Sequence, residues 1–198
     1  MDILKELNQF AGTLEGSNDF AFYGLSSKIE RPFRDNFACF LNQKYSKSNI
    51  ISIEYTDPNI KRADLVILDL KGAPKVIIEF TACYAFDLAE NKIQKYVTDV
   101  MKDHQKHKSV KTVKKYFVLL ASNPCNLPEP KIGENAIAYY KDVVKYISKN
   151  DPCRSFPQIK KNAEKAFSKT PLKMRPPKEI KAGKAFGAEY GLYYFVFE

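Results

Sequence analysis

The sequence predicts an α/β protein whose central mixed β-sheet is flanked by helices. Some segments carry apolar residues at helical spacing, and shorter segments rich in Val, Ile, Phe and Tyr alternate or run continuously. The two kinds of segment are interspersed along 198 residues, a length that suits one main domain. We expect residues 1–150 to form the core. We expect residues 151–198 to form a basic C-terminal extension that is not an independent domain and packs back through a final strand.

Two helices are predicted at the start of the chain. Residues 2–14 carry an apolar stripe at helical spacing. Ser27 then stands three residues before Glu30, which is a capping-box pattern, and phenylalanines follow at helical spacing. Pro32 must lie in the first turn of this second helix, because proline is tolerated there and not in the interior.

Three strands are predicted next. The segment "NIISIEYT" alternates and ends at the turn signal Asp57-Pro58-Asn59. The segments "RADLVILDL" and "KVIIEFTA" flank the turn "KGAP" and predict a β-hairpin.

The later elements continue the α/β pattern. Asp87 with Glu90 predicts the cap of a long helix that runs through about Lys108. The segment "KKYFVLLAS" predicts a buried strand, and "NAIAYYKDVVKYISK" predicts a further helix. The segment "GLYYFVFE" predicts a closing strand.

The predicted hairpin contains two acids in otherwise apolar runs. An ionised carboxylate in such a place must be paired or must bind a cation, because burying a lone charge is costly. With the loop at residues 71–74, Asp64 pairs with Thr81, and Glu79 is a diagonal neighbour on the same face. Diagonal neighbours lie roughly 7–8 Å apart, so Asp64 and Glu79 could share one divalent cation. Hard oxygen ligands that leave positions for water favour Mg²⁺ over zinc.

This order of elements resembles the PD-(D/E)xK nuclease superfamily, which has the restriction-endonuclease-like fold. The resemblance covers roughly residues 27–122, from the helix with Glu30 through the strands with Asp64 and Glu79 to a long helix and a further strand. It implies a restriction-endonuclease-like core in which Asp64 and Glu79 bind Mg²⁺. It also implies that Glu30 from the first helix of the motif region completes the catalytic site.

The sequence departs from the family's motif at two positions. Ala63 precedes Asp64 where the family has proline, and Thr81 occupies the position of the lysine that helps to activate water. Three interpretations are open: Thr81 replaces that lysine, the following helix supplies a lysine, or catalysis has been lost and DNA binding remains. Lys92 is our preferred helix lysine, because its helical-wheel angle flanks the buried face.

The net charge of +9 indicates a polyanionic partner. Most of the excess lies between Arg154 and Lys184, where prolines and glycines favour a flexible arm of extended or loop structure suited to phosphate contacts. His104 and His107 stand one turn apart in a second basic run, which we expect to be solvated. The residues predicted to contact DNA are Gln94, Lys160, Lys161, Lys173, Arg175 and Lys178.

The resemblance implies a Mg²⁺-dependent endonuclease that hydrolyses phosphodiester bonds of double-stranded DNA, most simply as a sequence-specific restriction enzyme. We expect a homodimer, because cutting both strands takes two active sites and two-fold symmetry matches a palindrome. Two alternatives stay open: a structure-specific repair or recombination nuclease of the same fold, and a non-catalytic nucleic-acid-binding protein.

The sequence also bears on where the protein resides. No apolar run approaches the roughly 20 residues of a membrane helix, and the first residues lack the features of a secretory signal. The cysteines are scattered without a Cys-x-x-Cys pair, so neither a zinc site nor a disulfide framework is indicated. We expect a cytoplasmic protein with no membrane partner and with reduced cysteines.

Overall fold

A six-stranded mixed sheet with helices on both faces confirms the predicted α/β class in the computed structural model. The structure describes residues 1–90, 92–127 and 130–198. The helices are α1 (Ile3–Thr13), α2 (Asn18–Ser26), α3 (Glu30–Tyr45), α4 (Ala85–Ala89), α5 (Ile93–Lys106), α6 (Pro130–Ala136), α7 (Tyr140–Ile147) and α8 (Phe156–Phe167). The strands are β1 (Asn49–Asp57), β2 (Lys61–Asp69), β3 (Pro74–Tyr84), β4 (Lys114–Pro124), β5 (Lys178–Ala185) and β6 (Ala188–Phe197).

The strands lie in the order β1-β2-β3-β4-β6-β5, and β3 and β4 form the parallel pair. Leu65 of β2 pairs with Ile78 of β3, so the predicted register, which set Asp64 against Thr81, is wrong by two residues. The difference arises because the Asp69 carboxylate fixes a different turn, accepting backbone N–H groups of the loop, and because a bulge follows Ile67. A slip by an even number of residues leaves every side chain on its predicted face.

The helices form two layers around the sheet. Helices α1, α2 and α3 pack on one face, where Phe10 contacts both Phe33 and Phe37 through ring contacts. Helices α4, α5 and α8 pack on the other face, over β3, β4 and β6. Strand β3 is therefore central in the sheet and covered by helices on both faces. An acidic side chain on β3 lies at the floor of a depression that opens between those helices.

The start of α3 differs from the predicted capping box. Helix α3 begins at Glu30 with Ile29 at its N-cap and without a side-chain cap. The hydroxyl of Ser27 instead donates to the carbonyl of Tyr23 at the end of α2, a helix that the sequence analysis does not predict. The Glu30 carboxylate is thus left out of a capping box.

The long helix predicted from Asp87 is interrupted. Helix α4 ends at Ala89 and α5 begins at Ile93, and the buried Asp87 accepts a hydrogen bond from the hydroxyl of Tyr96 at 2.7 Å.

The helix predicted from "NAIAYYKDVVKYISK" is likewise divided between α6 and α7. The division falls at Tyr139, whose φ of 57° lies in the left-handed region.

The C-terminal residues belong to the sheet. The predicted closing strand is confirmed as β6, which lies between β4 and β5 and buries Tyr193, Phe195 and Phe197 completely. Within the stretch expected to be extended or loop structure, residues 178–185 form the edge strand β5, which tolerates a bulge at Gly183, with its φ of 123°. Many of the basic residues of 151–198 therefore project from α8 and β5.

Candidate active site

Asp64 and Glu79 lie side by side where the pairing of β2 with β3 ends. The backbone N–H of Phe80 donates to Oδ2 of Asp64 at 2.8 Å, and the backbone N–H of Asp64 donates to Oε2 of Glu79 at 3.3 Å. The last paired residues, Leu65 and Ile78, come one step earlier, so the carboxylates satisfy backbone N–H groups just beyond the end of the ladder. Each acid is thus held by the backbone of the opposite strand.

The second oxygen of Glu79 is held by helix α5 and the residue after it. Nζ of Lys106 lies 2.7 Å from Oε1 of Glu79, and Nε2 of the fully buried His107 contacts the same oxygen. Burial acts to raise the pKa of Glu79, but hydrogen bonds with His107 and Lys106 outweigh burial and lower it. Glu79 is therefore a carboxylate at neutral pH.

Lys106 bridges two acids. It lies 3.0 Å from Oδ1 of Asp103, one turn earlier on α5, as well as beside Glu79. Burial acts to lower the pKa of Lys106, but its interactions with Glu79 and Asp103 outweigh burial and raise it. Lys106 is therefore an ammonium group at neutral pH, able to donate hydrogen bonds and unable to accept a proton.

Glu30 approaches the same place from the first turn of α3. Burial raises the pKa of its carboxyl, and the charges of Lys28 and Arg34 and a hydrogen bond from the backbone of Ala82 only partly offset this. Asp103 is similar, because burial first and the charge of Glu79 second raise its pKa. Acids from α3, β2, β3 and α5 therefore converge.

These side chains line one open depression. Its walls and floor are formed by Glu30, Lys61, Arg62, Asp64, Glu79, Phe80, Asp103 and Lys106. The floor is acidic, whereas Lys61 and Arg62 are exposed cations. An acidic floor below a basic rim suits a site in which a cation binds at the floor and an anionic substrate approaches across the rim.

Arg34 supports the depression from behind. This buried guanidinium bonds to Asp35 and to Glu54, and it lies 4.0 Å from Oδ1 of Asp64. Glu54 is a non-glycine residue with a φ of 51°, and neither Glu54 nor Asp64 has a partner in the pairing of β1 with β2, although the register is the same on both sides of them. From this position the Glu54 carboxylate bonds to Arg34, and Arg62 bonds to the same carboxylate.

Among the acids of the depression, Asp64 has the pKa that is shifted furthest from its ordinary value. Burial raises its pKa most, and the neighbouring charge of Glu79 adds to this, to give a value of about 7 against an ordinary 3.8. Because Glu79 keeps two cationic or hydrogen-bonding partners, Asp64 is the member of the pair that holds the proton. A divalent cation between them would replace that proton.

The pKa of Asp64 predicts a pH dependence of stability. Between about pH 4 and pH 7 the folded protein retains a proton that the unfolded chain has released, so the contribution of Asp64 to the free energy of unfolding falls as the pH rises. Asp64→Asn removes this penalty. We expect the variant to gain roughly 1–3 kcal/mol over wild type at pH 8 relative to pH 5, measured by urea unfolding in EDTA.

Asp69 provides the matched control for this prediction. Its pKa is lowered, chiefly by hydrogen bonds from the backbone of Ala73 and the side chain of Lys75. Ionised Asp69 therefore contributes stability above its unfolded pKa, and Asp69→Asn should lose stability at pH 8 rather than gain it. An Asp64→Asn variant with the same stability difference from wild type at both pH values would contradict the assignment of the proton to Asp64.

Of the residues predicted for the site, Glu30, Asp64 and Glu79 come together, and Thr81 and Lys92 do not join them. Thr81 follows Glu79 on the same face of β3 but lines a neighbouring cleft. Lys92 lines that cleft too, with a side chain that is 60 % exposed and 3.1 Å from Asp87. The interruption between α4 and α5 places Lys92 at the N-cap of α5, at the opposite end from Lys106.

The residues predicted to contact DNA lie outside the depression. Gln94 lines a groove between α5 and α8, and Arg175 pairs with Glu198. Lys160 lies on α8, 3.9 Å from Glu164. The other three are the exposed residues Lys161, Lys173 and Lys178.

Three residues of the site were not predicted from the sequence: Asp103, Lys106 and His107. The expectation that the basic run around His107 is solvated is wrong for His107, which is fully buried against Glu79. The available signal is spacing, since Val100, Asp103 and His107 lie at intervals of three and four along the buried stripe of α5. Lys106 flanks that stripe.

The donor set of the depression suits magnesium. Among the described residues, no group of three or more His, Cys, Asp or Glu side chains is assembled for a metal ion. Mg²⁺, however, is usually held by one or two carboxylates and completes its octahedron with water and phosphate oxygens. Asp64 and Glu79 supply such a pair, and the proton retained by Asp64 marks a surplus of negative charge that a cation would neutralise.

Comparison of the chain with protein-family models, with curated proteins and with solved structures found no match. In the part of the chain that the structure describes, no helix combines the length and the apolar character needed to cross a bilayer.

Proposed function

We propose that this protein is a metal-dependent endonuclease that hydrolyses phosphodiester bonds of DNA. The observation that carries the proposal is the convergence of Glu30, Asp64, Glu79 and Lys106 on one open depression, with Lys106 bonded to Glu79. Acids on adjacent strands beside a cationic side chain form a site that can bind a divalent cation and a phosphodiester together.

The carboxylates of Asp64 and Glu79 would hold Mg²⁺, with Glu30 close enough to the same depression to orient a water molecule. When bound, the ion would lower the pKa of a water nucleophile and offset charge on the phosphoryl oxygens. Lys106 stays protonated, so its role is to donate hydrogen bonds to the attacking water or to a phosphoryl oxygen. Lys61 and Arg62 would contact flanking phosphates at the rim.

The resemblance to the PD-(D/E)xK superfamily supports this proposal and identifies what is unusual here. The family's lysine position falls on Thr81, and of the three interpretations of that departure the position of Lys106 favours a lysine supplied by the following helix. Lys106 rather than Lys92 is then the replacement. The restriction-type sequence specificity and the homodimer stay predictions.

Cleavage of DNA in the presence and absence of metal tests the proposal. Purified protein is incubated with a long DNA of mixed sequence in Mg²⁺ and, in parallel, in EDTA. We expect cleavage in Mg²⁺ alone, none by the Asp64→Ala, Glu79→Ala double variant, and discrete fragments if the enzyme is sequence-specific. Salt-sensitive DNA binding without cleavage under any of these conditions would contradict a nuclease that acts on ordinary duplex DNA and would favour a non-catalytic DNA-binding protein or a nuclease that needs a special DNA structure.

A further inference from the structure

A second cleft, of about 410 Å³, adjoins the acidic depression. Glu30 and Phe80 line both of them, so the two are continuous across these side chains. Along β3, Glu79 belongs to the depression, and Thr81, the next residue on the same face, belongs to the cleft. Two residues of a strand span roughly 7 Å, so a molecule bound at the depression can extend directly into the cleft.

One wall of the cleft is aromatic. The rings of Tyr84 and Phe86 stack at 5.0 Å with an interplanar angle of 9°, and both are buried. Tyr139 meets Tyr84 edge-on at 5.4 Å and is itself 55 % exposed. A planar ligand that enters the cleft therefore encounters a ring whose surface is more than half in solvent.

The backbone holds Tyr139 in an unusual conformation. A φ of 57° lies in the left-handed region, which is uncommon for an aromatic residue. Hydrogen bonds on both sides fix it: the N–H of Ala138 donates to the carbonyl of Leu25, and the carbonyl of Tyr139 accepts from Asp142 and Val143. These hydrogen bonds fix the backbone that carries the ring, which lowers the ordering required on binding.

The polar groups of the cleft are balanced between acids and lysines. The carboxylates of Asp87, Asp99 and Asp142 line it together with the ammonium groups of Lys28, Lys92 and Lys95. With Glu30 included, four acids line the cleft with three lysines, and Lys92 is already paired with Asp87. Carboxylates accept hydrogen bonds from the amino groups of cytosine, adenine and guanine.

We propose that this cleft binds one unstacked nucleobase of the DNA strand whose phosphate occupies the acidic depression, with Tyr139 as the stacking surface. The inference rests on the proposed function and deepens it, because it makes the substrate a strand with an unpaired or extruded nucleotide beside the scissile phosphate. The carboxylates favour a base with an exocyclic amino group over thymine.

Equilibrium binding in EDTA tests the inference without cleavage. The probe is a fluorescein-labelled single-stranded DNA of mixed sequence, compared by anisotropy with a strand of the same length that lacks its bases. Tyr139→Asn removes the ring with a residue that tolerates left-handed backbone, and Tyr139→Phe keeps it. Tyr23→Asn is the matched control, because Tyr23 is 46 % exposed and does not line the cleft.

We expect Tyr139→Asn to weaken binding of the normal strand about tenfold, because stacking of one base on an aromatic ring contributes at this level. Tyr139→Phe and Tyr23→Asn should stay within about twofold, and none of the variants should change binding of the strand without bases. The same strand annealed to its complement distinguishes the source of the base. Dependence on Tyr139 that persists in the duplex means extrusion, and dependence confined to the single strand means recognition of unpaired DNA.

Equal affinity of wild type and Tyr139→Asn for the normal strand would overturn the inference and leave the proposed nuclease intact. An equal loss of affinity for the normal strand and for the strand without bases would also overturn the inference, because the ring would then not contact a base. Failure of wild type to bind either strand or the duplex, in EDTA and in Ca²⁺ alike, would overturn the inference together with the proposed function.

Discussion

Glu79→Gln is expected to reduce DNA cleavage roughly 1,000-fold or more and to destabilise the protein as well. The amide cannot supply the negative charge that would hold Mg²⁺. It also removes the charged acceptor of the buried His107 and one of the two acids paired with Lys106, which should lower the free energy of unfolding by roughly 1–3 kcal/mol. Single-turnover cleavage at a temperature where both proteins are folded gives the first quantity, and urea unfolding gives the second.

Glu189→Gln is the matched control for this change. Glu189 is an exposed acid paired with Lys184 at 2.8 Å and does not line the acidic depression. Exposed ion pairs contribute little, so its loss should leave both the free energy of unfolding and the cleavage rate nearly unchanged. A Glu79→Gln protein that is folded and cleaves within tenfold of wild type would contradict the role assigned to Glu79.

Lys106→Met is expected to lower the cleavage rate roughly 100-fold or more, with DNA affinity changed by only a few-fold. Methionine fills similar space but removes the donor beside Glu79. Lys92→Met should stay within about threefold of wild type, because Lys92 is mostly exposed and bonds to Asp87 instead. Single-turnover rates of both variants, measured beside DNA binding in EDTA, separate loss of chemistry from loss of binding.

The opposite pattern would identify the other lysine. Full activity of Lys106→Met with a large loss in Lys92→Met would mean that the N-terminal end of α5 supplies the catalytic ammonium group. Lys106→Arg refines the result, since arginine keeps the charge and the donors but changes their geometry, and it should retain activity above that of Lys106→Met.

The placement of Asp64 and Glu79 on one face of the hairpin could be predicted from the sequence. Side chains alternate between the two faces, so the face depends only on whether residues are an odd or an even number of positions apart. The predicted hairpin register is wrong by two residues, yet the slip leaves both acids on the predicted face and brings them closer together. Glu30 was accessible for a related reason, because its place in the first turn of α3 survives the loss of the predicted cap.

The position of Lys106 beside Glu79 could not be predicted from the sequence, because it depends on tertiary geometry. A helical wheel drawn from Asp87 assumes an unbroken helix, and the interruption before Ile93 makes Lys92 a terminal residue with an exposed side chain. Lys106 occurs in a run of lysines that composition alone assigns to solvent. Its position in the depression follows from the contact between the end of α5 and Glu79, which no local pattern specifies.

The structure of the C-terminal residues was also only partly predictable from the sequence. Prolines and glycines correctly exclude a helix between Thr170 and Lys178, but they do not reveal that β5 pairs with β6 at the sheet edge. Pairing between distant strands is decided by burial of β6, whose aromatic residues fill the space between the layers.

Cleavage by Asp64→Asn, measured beside Asp69→Asn, tests the central claim most directly. Both acids lie on β2, but Asp64 lines the depression whereas Asp69 caps the hairpin turn. On a DNA that wild type cuts in Mg²⁺, we predict that Asp69→Asn cuts at nearly the wild-type rate and that Asp64→Asn loses roughly 1,000-fold while remaining folded and bound to DNA. Equal rates for the two variants would contradict the assignment of this depression as a nuclease active site.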